Sequence, residues 1–346
     1  MDKISTWIAT SNIALIKYWG KRDERLILPH NSSLSITLDE NLSTKTSIIF
    51  SDKIDKDMFY LNGKPELVSG EGANERLKVV DSLRKMAKVK AHFLAASVNS
   101  FPTAGGLASS ASGVAALVLA AADALDLDLA KKELSIIARS GSGSACRSIF
   151  GGFVKWNRGS KEDGSDSFAE QIADHRHWPE IIDLIAIVSE KEKKISSRAG
   201  MKQTVENSIL YSSRVEYAEK AVVELAEAIK KKDFERLAYL IMRDSNNMHA
   251  VMLDTWPPIF YMNDVSREIV YRINDLNANE NRNIAAYTFD AGPNAHIITR
   301  KGDKNKVIDA IRDIEGVRLI EAGVGAGPKV SKEHLIDEHR LVPIGV

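Results

Sequence analysis

From residue 91 to residue 122 the chain carries no Asp, Glu, Lys or Arg, a run long enough to span a bilayer and so the strongest single limit on its fold. Asn99, Ser100, Pro102, Gly105, Gly106 and the Ser109, Ser110, Ser112 cluster interrupt it, leaving only residues 113–122 continuously apolar. That is too short for a membrane span, which needs about 20 apolar residues. The run must instead be buried inside a globular fold. Residues 98–101 read as a strand, the glycines and serines as a tight connection, and residues 113–125 as a small-residue helix apolar on all sides.

The flanking sequence fits a mixed α and β core. Residues 6–9, 33–38 and 44–50 show alternation or β-branched enrichment and predict strands. Leu77, Val80, Leu83 and Met86 predict a helix over 74–87, with another at 131–139 and a strand at 153–156. The polar His175-Arg176-His177-Trp178-Pro179 segment marks a boundary, giving domains 1–180 and 181–346. Beyond it, residues 183–188 read as a buried strand. Val215, Ala218, Val222, Leu225 and Ile229 lie on one helix face, and Phe234, Leu237 and Ile241 repeat the pattern. Residues 285–289 and 295–299 read as strands flanking a Gly-Pro turn.

Lys plus Arg and Asp plus Glu number 47 each, which argues against a dedicated nucleic-acid binder. One cysteine, Cys146, rules out an intramolecular disulfide and suits a reducing compartment. The N-terminus lacks the charged and apolar regions of a signal peptide, so a cytoplasmic protein is expected.

Four segments carry chemistry. Residues 102–111, Pro-Thr-Ala-Gly-Gly-Leu-Ala-Ser-Ser-Ala, place Gly105, Gly106, Ser109 and Ser110 before a helix, where backbone amides and hydroxyls can cradle phosphate or simply make a capped turn. Residues 139–148 set Ser140, Ser142 and Ser144 between Arg139 and Arg147, an arrangement able to grip a carboxylate or phosphate. Residues 12–23 hold Lys17 and Lys21 among Tyr18, Trp19 and aliphatic neighbours, where a lysine snorkels or pairs with an anion. Asp290 ends an apolar strand before Gly292-Pro293, as a turn aspartate does. His175 and His177 have metal-like spacing but no second cluster, and Cys146 lacks an activating histidine, so neither is assigned a role.

Taken in order, Ala14-Leu15-Ile16-Lys17-Tyr18-Trp19-Gly20-Lys21-Arg22-Asp23, residues 28–38, 101–112, 141–147, Asp254-Thr255-Trp256-Pro257-Pro258 and residues 290–295 resemble the diphosphomevalonate decarboxylase family of the GHMP kinase superfamily. The resemblance spans almost the whole chain. It implies an α+β architecture with a ribosomal-S5-like N-terminal domain, a ferredoxin-like C-terminal domain and a cleft site between them. It also implies ATP as co-substrate with Mg2+, a phosphorylated mevalonate as substrate, a homodimer, and no metal ligand set of the protein's own.

The same resemblance assigns residues to roles. Asp290, Lys17 and Arg147 match catalytic positions. Tyr18, Lys21, Arg76, Ser142, Ser144, Ser197 and Arg198 match substrate contacts, and Gly105, Gly106, Ser109 and Ser110 match nucleotide phosphate contacts. Two related activities share Asp290, Lys17 and Arg147: decarboxylation of a 3,5-bisphosphate without ATP and decarboxylation of the 5-monophosphate, while retention of these residues argues against a third, phosphorylation without decarboxylation.

Overall fold

The structure, a computed structural model, describes residues 3–69, 77–101, 109–189 and 194–344. The N-terminal half runs through Ile4–Thr10 (β1), Asn12–Ile16 (β2), Lys21–Asp23 (β3), Leu28–Pro29 (β4), Ser33–Thr37 (β5), Ser43–Ser51 (β6), Met58–Leu61 (β7) and Lys64–Glu66 (β8). Then come Lys78–Ala87 (α1), His92–Asn99 (β9), Ser109–Ala124 (α2), Lys131–Gly141 (α3), Phe153–Trp156 (β10) and Ala169–Ala173 (β11). The second half comprises Ile181–Ile187 (β12), Ser197–Asn207 (α4), Tyr211–Lys231 (α5), Phe234–Leu253 (α6), Asp264–Asn279 (α7), Ala285–Phe289 (β13) and Ala295–Arg300 (β14). Lys304–Ile311 (α8), Arg318–Gly323 (β15), Lys329–Val330 (β16), Ile336–Asp337 (β17) and Val342–Pro343 (β18) complete it.

The first sheet has the order β16-β1-β6-β9-β7-β8. Period-two alternation sends Ile48, Phe50, Phe93 and Ala95 onto α2, while Ile49, Leu94 and Ala96 pack with Ile54 and Ile336 on the opposite face. Alanines at 115, 116, 120 and 121 are buried along α2 and let it lie close to the sheet. The helix begins at Ser109, four residues before the apolar run at 113. The strand expected at 98–101 lies earlier, at His92–Asn99. Its continuous apolar stretch is covered on both faces and so gives no alternation to read.

A second sheet, β11-β10-β5-β2, packs its Ile13, Leu34, Ile36 and Phe153 against α5 and α6. The third, β13-β14-β12-β15, covers those same helices with Ile181, Ile185 and Ile298, and turns Ile182, Leu184 and Ile297 toward α7 and α8. Helices α5 and α6 therefore form the layer between the two sheets that carry Lys17 and Asp290. Lys232, at φ 54, ends α5 in the left-handed conformation. Asp233 then caps α6 by accepting the Arg236 N–H at 3.0 Å, so two residues turn the chain between the helices.

The chain end returns to the N-terminal half. Val330 pairs with Trp7, and Gly325 donates its N–H to Thr37 O at 2.8 Å. Only glycine fits at 325, where a Cβ would meet Leu38 O at 2.1 Å. The glycine-rich stretch at 323–328 thus brings two backbones together.

Candidate active site

Lys17 follows β2, and Asp290 follows β13. Their side chains meet across 273 residues of sequence, with Lys17 Nζ 2.7 Å from Asp290 Oδ1. Lys17 is 2% exposed and Asp290 36%. The ammonium is thus sealed in while the carboxylate is partly exposed. A buried lysine is costly unless paired, and Asp290 supplies the partner.

Lys17 is fixed through its backbone as well. Asp244 Oδ2 accepts the Lys17 N–H at 2.8 Å, while Arg214 Nη2 and Asn31 Nδ2 donate to its carbonyl at 3.1 and 2.9 Å. Arg214 and Asp244 are fully buried and ion-paired with each other. On the other side, Ser245 Oγ accepts the N–H of Phe289, the residue before Asp290, at 3.1 Å.

Arg147 sits in a buried 3-10 turn, Gly143–Ile149. Its Nε donates to Asn12 Oδ1 at 3.1 Å and its Nη1 to Ser33 Oγ at 2.8 Å, and the guanidinium lies over the Trp156 ring, 5.8 Å from the centroid. Burial pulls its pKa down, against the opposing pull of Cys146, Asp290 and Tyr18. Its other terminal nitrogen, Nη2, makes no hydrogen bond among the described residues, so one side of the fork remains for an anion.

Tyr18 packs edge-on against Trp156 with centroids 4.8 Å apart. Burial raises its pKa, and its hydroxyl, buried, has no partner among the described residues. Such a group costs stability unless a ligand oxygen meets it. Ser142 Oγ lies 3.3 Å from Ser110 Oγ and 3.5 Å from Ser144 Oγ, linking the start of α2 to the 3-10 turn. Arg198, on α4, donates to Gly141 O at the end of α3 at 3.1 Å.

Arg139 departs from the expectation of a second anion-gripping arginine. Its nitrogens donate to the carbonyls of Leu26, Gly164 and Ser167, so the side chain is consumed in holding loops together. Lys21 is buried, with its ammonium on Glu24. Burial pushes the Cys146 thiol up to about 12, as a packed and inert side chain requires. His177 Nε2 lies 2.8 Å from Ile229 O, a structural contact. Arg76, Gly105 and Gly106 lie outside the described residues, as does the side chain of Ser109.

The two halves match two family models: residues 9–169 the "Diphosphomevalonate decarboxylase-like N-terminal domain", and residues 183–331 the "Mevalonate 5-diphosphate decarboxylase C-terminal domain". The chain belongs to the diphosphomevalonate decarboxylase family. A diphosphomevalonate decarboxylase from Candida albicans is 42% identical, covering 94% of this chain and 98% of that one. A crystal structure of mevalonate 5-diphosphate decarboxylase superposes with a TM-score of 0.90 at 38% identity, over 98% of this chain and 100% of the other. A structure of MDDEF in complex with MVAPP, AMPPCP and magnesium superposes with a TM-score of 0.85 at 39% identity, over 95% and 99%. The α+β fold is accordingly that of the GHMP kinase superfamily.

Sequence reasoning picked out the ends of the constellation and missed its supports. Asn12 and Ser33, which aim Arg147, lie inside quoted motifs but carry no charge to draw notice. Arg214 and Asp244 left a clearer trace: each falls on the apolar face of its helix, four residues before Ala218 and three after Ile241. A charge at a buried stripe position calls for a buried partner.

Proposed function

We propose that this chain performs the reaction of its family, converting mevalonate 5-diphosphate and ATP into isopentenyl diphosphate, ADP, phosphate and CO2, with Lys17, Asp290 and Arg147 at the reacting centre. The observation that carries this reading is the buried Lys17 ammonium against a half-open Asp290 carboxylate, with Arg147 close enough to feel the Asp290 charge.

The tertiary 3-hydroxyl is a poor leaving group. Asp290 orients it and takes its proton as the oxygen attacks the γ-phosphorus of ATP and ADP leaves, Lys17 steadies the carboxylate, and the proton then passes to water so that Asp290 is charged again before the next step. The C3–O bond then breaks with phosphate leaving, and positive charge develops at C3 beside Asp290. The C1–C2 bond gives its electron pair to a new C2=C3 double bond, and CO2 departs. Arg147 holds the carboxylate that becomes CO2 until that step. Tyr18, Lys21, Arg76, Ser142, Ser144, Ser197 and Arg198 line the substrate, and Gly105, Gly106, Ser109 and Ser110 hold the nucleotide phosphates.

The donor set suits Mg2+ carried on the nucleotide. Among the described residues no group of three or more His, Cys, Asp or Glu could cage a metal ion, whereas the neighbouring Ser110 and Ser142 hydroxyls offer oxygens to a phosphate-bound ion. When bound, Mg2+ supplies neutralisation of phosphate charge.

CO2 release from the 5-diphosphate, the 5-monophosphate and the 3,5-bisphosphate, each with and without ATP, tests this reading. Release from the 5-diphosphate only with ATP is expected. Turnover of the bisphosphate alone, without ATP, contradicts it.

The same proposal divides the chain near residue 180, supported by the start of β12 at Ile181, and places the enzyme in the cytoplasm, supported by its single buried cysteine. Cell fractionation checks the location. A homodimer is supported by exposed apolar side chains at Ile209, Leu210, Leu253, Trp256 and Phe260, with Leu210 N hydrogen-bonded to Asp254 at 3.1 Å. An exposed patch of that kind commonly marks an interface. Sedimentation equilibrium is expected to give twice the chain mass, and the Trp256→Asp variant a monomer. A wild-type monomer overturns the assignment.

A further inference from the structure

Helix α6 touches both halves of the reacting pair through three neighbouring side chains. Asp244 accepts the Lys17 N–H at 2.8 Å and is ion-paired to Arg214, which donates to the Lys17 carbonyl. The next residue, Ser245, accepts the Phe289 N–H at 3.1 Å. One turn further on, His249 sets its ring edge-on to the Phe289 ring, with centroids 6.1 Å apart. Burial keeps its imidazole neutral, pulling the pKa down to about 4.

Lys17 and Asp290 come from two different sheets, and a strand end is free to shift unless something outside the ladder fixes it. Residues 245 and 249 are i and i+4 and share a helix face. Together they grip the residue before Asp290, while Asp244 grips Lys17 itself. We infer that α6 is the positioning element of the active site, with Asp244 holding Lys17 and with Ser245 and His249 holding Asp290, so that a rigid helix sets the ammonium-to-carboxylate distance. This rests on the reading that Lys17 and Asp290 are the reacting pair.

Neither Ser245 nor His249 touches the Asp290 carboxylate in this arrangement. Their loss therefore moves the reacting group and leaves the substrate contacts in place. Such a displacement lowers kcat more than it alters KM, since the interaction lost is realised in the transition state.

The experiment compares Ser245→Ala, Ser245→Thr and His249→Phe, with Asp290→Asn alongside, reading kcat, KM and the urea midpoint of each. Ser245→Ala is expected to lose about ten-fold in kcat, a fraction of what a misplacement of about 1 Å can cost, with KM within about two-fold of wild type. Thr at 245 keeps the hydroxyl and should restore most of kcat. His249→Phe puts a bulkier ring against Phe289, displaces the residue before Asp290, and should show the same kcat-selective loss. If one of these variants fails to fold, the other decides the matter.

Wild-type kcat in Ser245→Ala or His249→Phe, or a Thr variant no better than Ala, overturns the positioning role. A lowered urea midpoint with kcat intact marks these residues as structural and also overturns it. If Asp290→Asn is inactive while the α6 variants are fully active, only the positioning role fails. If Asp290→Asn is itself active, the reading on which it rests fails.

Discussion

The Asp290→Asn variant is expected to release CO2 at least about 1,000-fold more slowly than wild type in a single turnover, the scale seen when a group that stabilises transition-state charge is removed. The amide keeps the shape of the side chain and loses its charge. It cannot take the proton of the 3-hydroxyl, and it cannot oppose the positive charge that grows at C3. Lys17 Nζ, 2.7 Å away and sealed from water, is left without its counter-charge. The amide oxygen can still accept from that ammonium, so the fold should survive with a lowered thermal midpoint. Calorimetric titration with the 5-diphosphate should give a dissociation constant within a few-fold of wild type. A single-turnover rate within a few-fold of wild type would remove Asp290 from the chemistry.

Arg147→Lys carries the second large effect, on the order of a 100-fold loss in kcat/KM. Charge is retained, but geometry is not. The guanidinium uses Nε for Asn12 and Nη1 for Ser33, and the proposed substrate contact falls to Nη2, three directions fixed by one plane. An ammonium on a flexible stem cannot meet all three at once. It also leaves Asn12 Oδ1 or Ser33 Oγ without a donor in a buried setting, so a modest fall in thermal midpoint should accompany the kinetic loss. Steady-state kinetics with the midpoint read in parallel separate the two effects. Unchanged kcat/KM with a lowered midpoint would make Arg147 purely structural.

How far the sequence revealed this molecule depends on the range over which each signal acts. The strand Phe153–Trp156 and the helix face from Val215 to Ile229 follow from local pattern and appear where the pattern puts them. Helix α2 and strand β9 were displaced by a few residues. Both lie in the uncharged run, where the usual marks of an edge, alternation and polarity, are erased by burial on all sides. Residues 139–148 stand out in the sequence for their arginines and serines, and in the fold they finish α3 and then form the buried 3-10 turn that carries Arg147.

The site was legible at the level of motifs and not of geometry. Nothing local to Lys17 announces Asp290, because the pairing is a product of how two sheets sandwich α5 and α6. Arg139 and Arg147 look equivalent in sequence, flanking the same serines. Only the fold separates them: one is surrounded by carbonyl oxygens, while the other faces Asn12, Ser33 and the Trp156 ring. The clamp on Lys17 was the hardest to foresee, since Asp244 and Arg214 act on its backbone, which has no side-chain identity to read.

The central claim is that phosphorylation and carbon–carbon cleavage occur at one site through one carboxylate. Its most direct test is the stoichiometry of ADP and CO2 formed from mevalonate 5-diphosphate and ATP with Mg2+, by wild type and by Asp290→Asn. Equal amounts of ADP and CO2 from the wild type, and loss of both in the variant, are the predicted result. ADP formed by the wild type without CO2, or CO2 formed by the variant at the wild-type rate, would contradict it.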